Sequence, residues 1–92
     1  MAGMSRETIQ TKLKEMIVDR VKLKIKPEEI INDQPLFGEG LGLDSVEALE
    51  IVVGIEETFD VKIEDEELVD EFYSIDTLAD YVIKLRKEQN KD

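Results

Sequence analysis

The sequence predicts an all-α fold, a four-helix bundle with a long first loop and a short third helix. Apolar residues recur at helical spacing in several segments, as on the buried face of an amphipathic helix. Serine and aspartate, which favour helix starts, precede these segments. Aromatic residues make up only 5% of the chain, which suits packing between aliphatic helices. We expect one small domain over residues 1–92, with an ordered core from about 5 to about 87.

The first helix is expected over about residues 5–23. Ser5 can act as its N-cap, and Glu7 places a negative charge in the first turn, where such a charge is favourable. Pro27 prevents the helix from continuing far beyond this range. The residues predicted for its buried face are Ile9, Leu13, Met16, Ile17 and Val21.

Residues 24–43 show no sustained period and are predicted to form the long first loop. Several of its residues are too apolar to be left in water. We therefore expect an ordered loop that packs these residues against the bundle. They are Ile25, Ile30, Ile31, Leu36, Phe37, Leu41 and Leu43.

The second helix is predicted to start at Asp44 and to end near Phe59 and Asp60. Asp44 and Glu47 stand three residues apart, as in a capping box. Gly54 inside the helix costs about 1 kcal/mol relative to alanine, which indicates a close approach by another part of the molecule. At about 100° per residue, the core face consists of Ala48, Ile51, Val52, Ile55 and Phe59.

Two further helical patterns follow. Residues 65–71 are predicted to form the short third helix, anchored by Leu68, Val69 and Phe72. Ser74 is expected to cap the last helix. The residues predicted for the buried face of that helix are Ile75, Leu78, Ala79, Val82 and Leu85.

The chain is strongly acidic, with 23 acidic and 12 basic residues and a formal net charge of −11. Nucleic acids and anionic membranes require a basic contact surface, so neither is an expected partner. The natural partner is a basic patch on another protein. Self-repulsion between copies of such a chain argues for a monomer.

The residues that the chain lacks exclude several classes of function. It contains no cysteine and no histidine, which removes disulfides, thiolate metal sites and imidazole bases. No apolar run approaches the roughly 18 residues of a membrane span, and no secretory signal is recognisable, so a cytoplasmic location is expected. The acidic run at 64–71 lacks the ligand spacing of an EF-hand, and no metal site is predicted.

The side of the second helix opposite its core face forms an acidic stripe. The stripe consists of Asp44, Glu47, Glu50, Gly54 and Glu57, with Val46 and Val53 at its edge. No basic residue is expected to neutralise it. Between residues 44 and 76 only Lys62 opposes the acids Asp44, Glu47, Glu50, Glu56, Glu57, Asp60, Glu64, Asp65, Glu66, Glu67, Asp70, Glu71 and Asp76. Such a face can serve solubility alone, but unpaired acids beside valines favour a docking surface, because charge steers a partner and apolar burial holds it.

Ser45 opens the second helix after a glycine-bearing loop. A serine there is exposed, and the N–H groups and partial positive charge of a helix start favour anions. The position suits a serine that carries a phosphate-linked group, although an Asp–Ser pair alone indicates only an ordinary helix start. Because no histidine can act as its base, Ser45 is interpreted as an attachment point, and no enzymatic activity is predicted.

A specific set of residues stands at the spacings of a known family. The set comprises Phe37, the segment Leu41-Gly42-Leu43-Asp44-Ser45-Val46-Glu47, the residues Glu50, Val53, Glu56, Glu57 and Phe59, and the run Ile63-Glu64-Asp65-Glu66-Glu67. On this set the chain resembles the acyl carrier proteins, the phosphopantetheine-bearing helical bundles of fatty acid and polyketide synthesis. The resemblance covers about residues 5–87.

The resemblance implies that a phosphopantetheinyl transferase attaches 4′-phosphopantetheine from coenzyme A to Ser45, next to Asp44. The thiol of this arm would carry acyl groups as thioesters for fatty acid, polyketide or specialised lipid synthesis. The enzymes that make and transfer the acyl chain are implied to bind through basic docking patches. The residues implied for that contact are Val46, Glu47, Glu50, Val53, Glu56 and Glu57.

Other interpretations stay open. Val46 stands where the family commonly has leucine, and Gly40 where it often has an acid, so a specialised carrier is as admissible as the housekeeping one. Peptidyl and D-alanyl carriers are the nearest alternatives within the carrier class. Outside that class, the chain could be an acidic helical interaction module with no prosthetic group.

Overall fold

The computed structural model describes residues 4–37, 40–64 and 72–91. In these ranges the chain forms three α helices and one 3₁₀ turn, and its only β-type pairing is an isolated bridge between Phe37 and Leu43. The helices are α1 (Arg6–Arg20), α2 (Ser45–Phe59) and α3 (Ile75–Glu88), and the 3₁₀ turn is Pro27–Glu29. The all-α prediction is confirmed for this part of the chain, whereas the short helix predicted at 65–71 lies outside it.

Each α helix begins at a residue whose side chain accepts a hydrogen bond from the first turn, as the capping residues predicted. Ser5 Oγ accepts from the Thr8 N–H at 3.1 Å, and Ser74 Oγ accepts from the Thr77 N–H at 3.3 Å. The predicted end of α1 is wrong by a few residues. The helix stops at Arg20 because Lys22 adopts a left-handed backbone with φ of 55°, which an α helix cannot contain.

The helices enclose one core, in which α1 packs against both α2 and α3. The predicted core faces are largely confirmed, and only Val21, Ala48 and Val52 are half-buried at its edge. The buried residues of the three helices are Ile9, Leu13, Met16, Ile17, Ile51, Ile55, Phe59, Ile75, Leu78, Ala79, Val82 and Leu85. None of the helices that the structure describes is long and apolar enough to cross a membrane.

In residues 24–37 and 40–43, the described part of the first loop, the apolar residues pack against the bundle with one exception. Ile30, Leu36 and Leu43 are buried, but Ile31 has 61% of its surface exposed. The prediction for Ile31 is wrong because the backbone is extended at Ile30, and successive side chains of an extended chain point in opposite directions.

Hydrogen bonds attach this loop to the start of α3. The Leu36 N–H donates to the Tyr73 carbonyl at 2.8 Å, and the Asp76 N–H donates to the Asn32 carbonyl at 2.9 Å. The loop therefore has a fixed position relative to the bundle, and so does the start of the helix that follows it.

The end of α3 fixes the segment that follows α2. Arg86 Nη1 donates to the Phe59 carbonyl at 2.7 Å. The Gln89 side chain accepts from the Lys62 N–H and donates to the Lys62 carbonyl, both at 2.8 Å. Both ends of α2 are thus held by other parts of the molecule.

Candidate functional site

Ser45 is the first residue of α2 and its side chain is exposed. The preceding residue, Asp44, is the N-cap, and its extended backbone places the chain outside the helix. The predicted capping box is confirmed: the Glu47 N–H donates to Asp44 Oδ1 at 3.0 Å, and the Asp44 N–H donates to Glu47 Oε1 at 2.9 Å. These two bonds fix where the helix begins, and hence where the Ser45 hydroxyl lies.

The N–H groups next to Ser45 divide into two sets. Those of Glu47 and Ala48 are occupied, because both donate to Asp44. Those of Ser45 and Val46 have no acceptor among the residues that the structure describes. Unsatisfied N–H groups at a helix start carry the positive end of the helix dipole, and they favour an anion there.

The loop that leads into Ser45 is fixed by backbone contacts. The Leu43 N–H donates to the Leu36 carbonyl and the Leu41 N–H to the Pro35 carbonyl, each at 3.1 Å. Leu43 is also buried, so a core contact lies only two residues before the serine.

Gly40 is required by the close packing of this loop. A Cβ atom placed on Gly40 would lie 1.6 Å from the Pro35 carbonyl oxygen and 2.4 Å from its carbonyl carbon. A residue with a side chain therefore does not fit this loop conformation.

The acidic stripe has a basic residue beside it, so the expectation that nothing neutralises it is wrong. Arg20, the last residue of α1, donates from Nη2 to Glu57, and its Nη1 lies 3.5 Å from Glu50 Oε1. Gly54, placed among the acids by its helical angle, is buried against α1. The close approach predicted at Gly54 is thereby confirmed, and it is made by Met16 and Arg20 of α1.

The two other acids predicted for partner contact also bind within the chain. The Glu47 carboxylate belongs to the capping box. Glu56 Oε2 accepts from the Ile63 N–H at 2.9 Å, which fixes the turn after α2. All four glutamates predicted for docking therefore have intramolecular partners, while Glu50 and Glu57 remain more than half exposed.

An apolar row on α2 is open to solvent. Val46 and Val53, both predicted, have 69% and 41% of their surface exposed, and Leu49 between them has 67% exposed. Leu49 was missed by the sequence analysis. Its spacing of three residues from Val46 and four from Val53 places all three on one side of a helix, and this spacing was the available signal.

A protein-family model described as a phosphopantetheine attachment site matches residues 11–82. The match covers most of the chain and includes the loop before α2, Ser45 and the whole of α2. The chain belongs to this family of carrier domains, which attach 4′-phosphopantetheine covalently. An exposed serine hydroxyl, beside two N–H groups that have no acceptor in the described part of the chain, fits the anionic diester that such an attachment creates.

Proposed function

We propose that the chain carries acyl groups as thioesters on a 4′-phosphopantetheine arm attached to Ser45. The observation that carries the proposal is the exposed Ser45 hydroxyl at the first residue of α2, inside the region matched by the family model. The arm, when bound, supplies the thiol that the chain itself lacks.

The chain contributes position and electrostatics. Asp44 and Glu47 fix the start of α2 through the capping box. The N–H groups of Ser45 and Val46 and the helix dipole favour a negative diester at Ser45. The chain offers no histidine as a base for the Ser45 hydroxyl, and we expect the transferase to provide the group that accepts its proton.

The exposed side of α2 is the proposed docking surface for the transferase and for the enzymes that build and transfer acyl chains. Its apolar part is the row of Val46, Leu49 and Val53, and its charged part consists of Glu47, Glu50, Glu56 and Glu57. The net charge of −11 favours partners with basic patches. Fatty acid, polyketide or specialised lipid synthesis is the proposed setting, with the chain acting as a monomer in the cytoplasm.

The test is incubation with coenzyme A, magnesium and a phosphopantetheinyl transferase, followed by intact-mass measurement. We expect the parent chain to gain the mass of one phosphopantetheine, and Ser45→Ala to gain none. Ser5→Ala, which changes another exposed serine at a helix start, is the matched control and should be modified like the parent.

Two results would contradict the proposal. An adduct on Ser45→Ala would place the attachment on another residue. An unmodified parent, under conditions in which the same transferase modifies a known acyl carrier protein, would favour an interaction module without a prosthetic group.

A further inference from the structure

Arg20 lies against Gly54 of α2. A Cβ atom placed on Gly54 would be 2.7 Å from Arg20 Cδ and 2.9 Å from Arg20 Nε. The Arg20 side chain is only 26% exposed, although it carries a full charge at the end of a surface helix. A side chain at position 54 would occupy the space that Arg20 now uses.

From this position the guanidinium reaches acids on both sides of Gly54. Glu50 and Glu57 lie about one helical turn before and after Gly54. Nη1 lies 3.5 Å from Glu50 Oε1, and Nη2 donates to Glu57. The planar guanidinium can serve two carboxylates at once, which a lysine ammonium does less well.

We propose that Arg20 competes within the molecule for the acids of the docking surface and thereby selects among its partners. The inference rests on the proposed role of α2 in docking. A partner that relies on arginine or lysine contacts with Glu50 and Glu57 must first displace Arg20. A partner that relies on the apolar row of Val46, Leu49 and Val53 meets no such competitor.

The direct test compares Arg20→Gln with Lys12→Gln in phosphopantetheine transfer to Ser45, with a transferase whose carrier-binding site is basic as the probe. Both variants remove one positive charge from α1, but Lys12 is exposed and lies eight residues from Arg20 along the helix. At low salt we expect Arg20→Gln to raise kcat/KM about three-fold over the parent, in the range of a surface ion pair. Lys12→Gln should give a smaller rise, through long-range charge alone.

The expected rise in kcat/KM for Arg20→Gln has an electrostatic cause, which salt can screen. It should therefore disappear at about 0.5 M sodium chloride, where the Debye length is only a few ångströms. Equal effects of Arg20→Gln and Lys12→Gln at low salt, or a loss of kcat/KM in Arg20→Gln, would overturn the proposal.

A double-mutant cycle with Glu57→Gln tests the pairing itself. Glu57→Gln should lower kcat/KM by a larger factor in the Arg20→Gln background than in the parent, because only there is Glu57 released from Arg20. The same factor in both backgrounds would mean that Arg20 does not withhold Glu57 from the partner.

The folded state of each variant is checked by its circular dichroism melt. If Arg20→Gln does not fold, Arg20→Met replaces it, because methionine keeps an unbranched apolar stem over Gly54 while removing the charge. Failure of the proposed function is recognised separately, since the parent would then acquire no adduct. If only this inference fails, the parent still acquires phosphopantetheine, but the double-mutant cycle shows no coupling between Arg20 and Glu57.

Discussion

Asp44 fixes the point at which α2 begins, and with it the position of Ser45. Its side chain accepts from the Glu47 N–H and its carbonyl accepts from the Ala48 N–H. Replacing an N-cap aspartate by alanine costs about 1 kcal/mol, whereas asparagine caps equally well. We therefore expect Asp44→Ala to lower the melting temperature by about 4–8 °C, and Asp44→Asn to stay close to the parent, in thermal denaturation followed by circular dichroism.

Glu15→Ala is the control for the loss of one negative charge. Glu15 is exposed in the middle of α1, so its replacement should shift the melting temperature little. An equal fall for Asp44→Ala and Glu15→Ala would mean that the cap contributes nothing beyond its charge.

Individual residues show why some contacts were predictable and others were not. The capping box joins residues three apart, and its spacing can be recognised in the sequence. The pairs of Arg20 with Glu50 and Glu57 join residues 30 and 37 positions apart, and no local pattern encodes them. The need for glycine at position 40 depends on the Pro35 carbonyl, whose approach is set by the folded loop.

The exposed side of α2 combines two kinds of contact, and its apolar row can be tested apart from its charges. Leu49 is 67% exposed, so Leu49→Gln should change the free energy of unfolding by less than about 0.5 kcal/mol. Burial of this side chain by a partner removes apolar surface from water. We expect Leu49→Gln to lower kcat/KM for phosphopantetheine transfer about five-fold, in the range of an interface residue of moderate importance.

Ile31→Gln is the matched control, because Ile31 is similarly exposed at 61% but belongs to the first loop. Its kcat/KM should stay close to that of the parent. A similar loss in both variants would show that general surface apolarity matters, and would remove the special role of the row on α2.

The sequence predicted the buried faces of the helices better than it predicted where the helices end. All five residues predicted for the buried face of α3 are buried. The sequence indicated them clearly because α3 has one apolar and one polar side, and because Ser74 marks its start. The end of α1 was missed because the left-handed residue that stops it is a lysine, which gives no signal in a propensity pattern. The close approach predicted at Gly54 is confirmed, because α1 contributes Met16 and Arg20 against it. The sequence did not indicate which part of the molecule would make this approach.

The net charge of −11 on the whole chain is expected to lower the stability of the folded state. Between residues 44 and 76 thirteen carboxylates are opposed by Lys62 alone within that stretch. Basic residues from elsewhere in the described chain reach four of them: Arg20 reaches Glu50 and Glu57, Arg6 reaches Asp76, and Lys91 reaches Asp60. A net charge of −11 on a compact chain of 92 residues produces more self-repulsion than the same charge on the expanded unfolded chain. A divalent cation that accumulates around the acids should therefore stabilise the fold beyond the effect of ionic strength.

We expect about 10 mM magnesium chloride to raise the melting temperature more than about 30 mM sodium chloride, which has the same ionic strength. If the dissociation constant for magnesium is about tenfold lower than this concentration, mass action contributes about 1.4 kcal/mol, or about 7 °C for a domain of this size. Differential scanning calorimetry on the unmodified chain measures both shifts. Equal shifts in the two salts would mean that magnesium acts only by screening, and would remove the prediction of weak divalent binding to the acids.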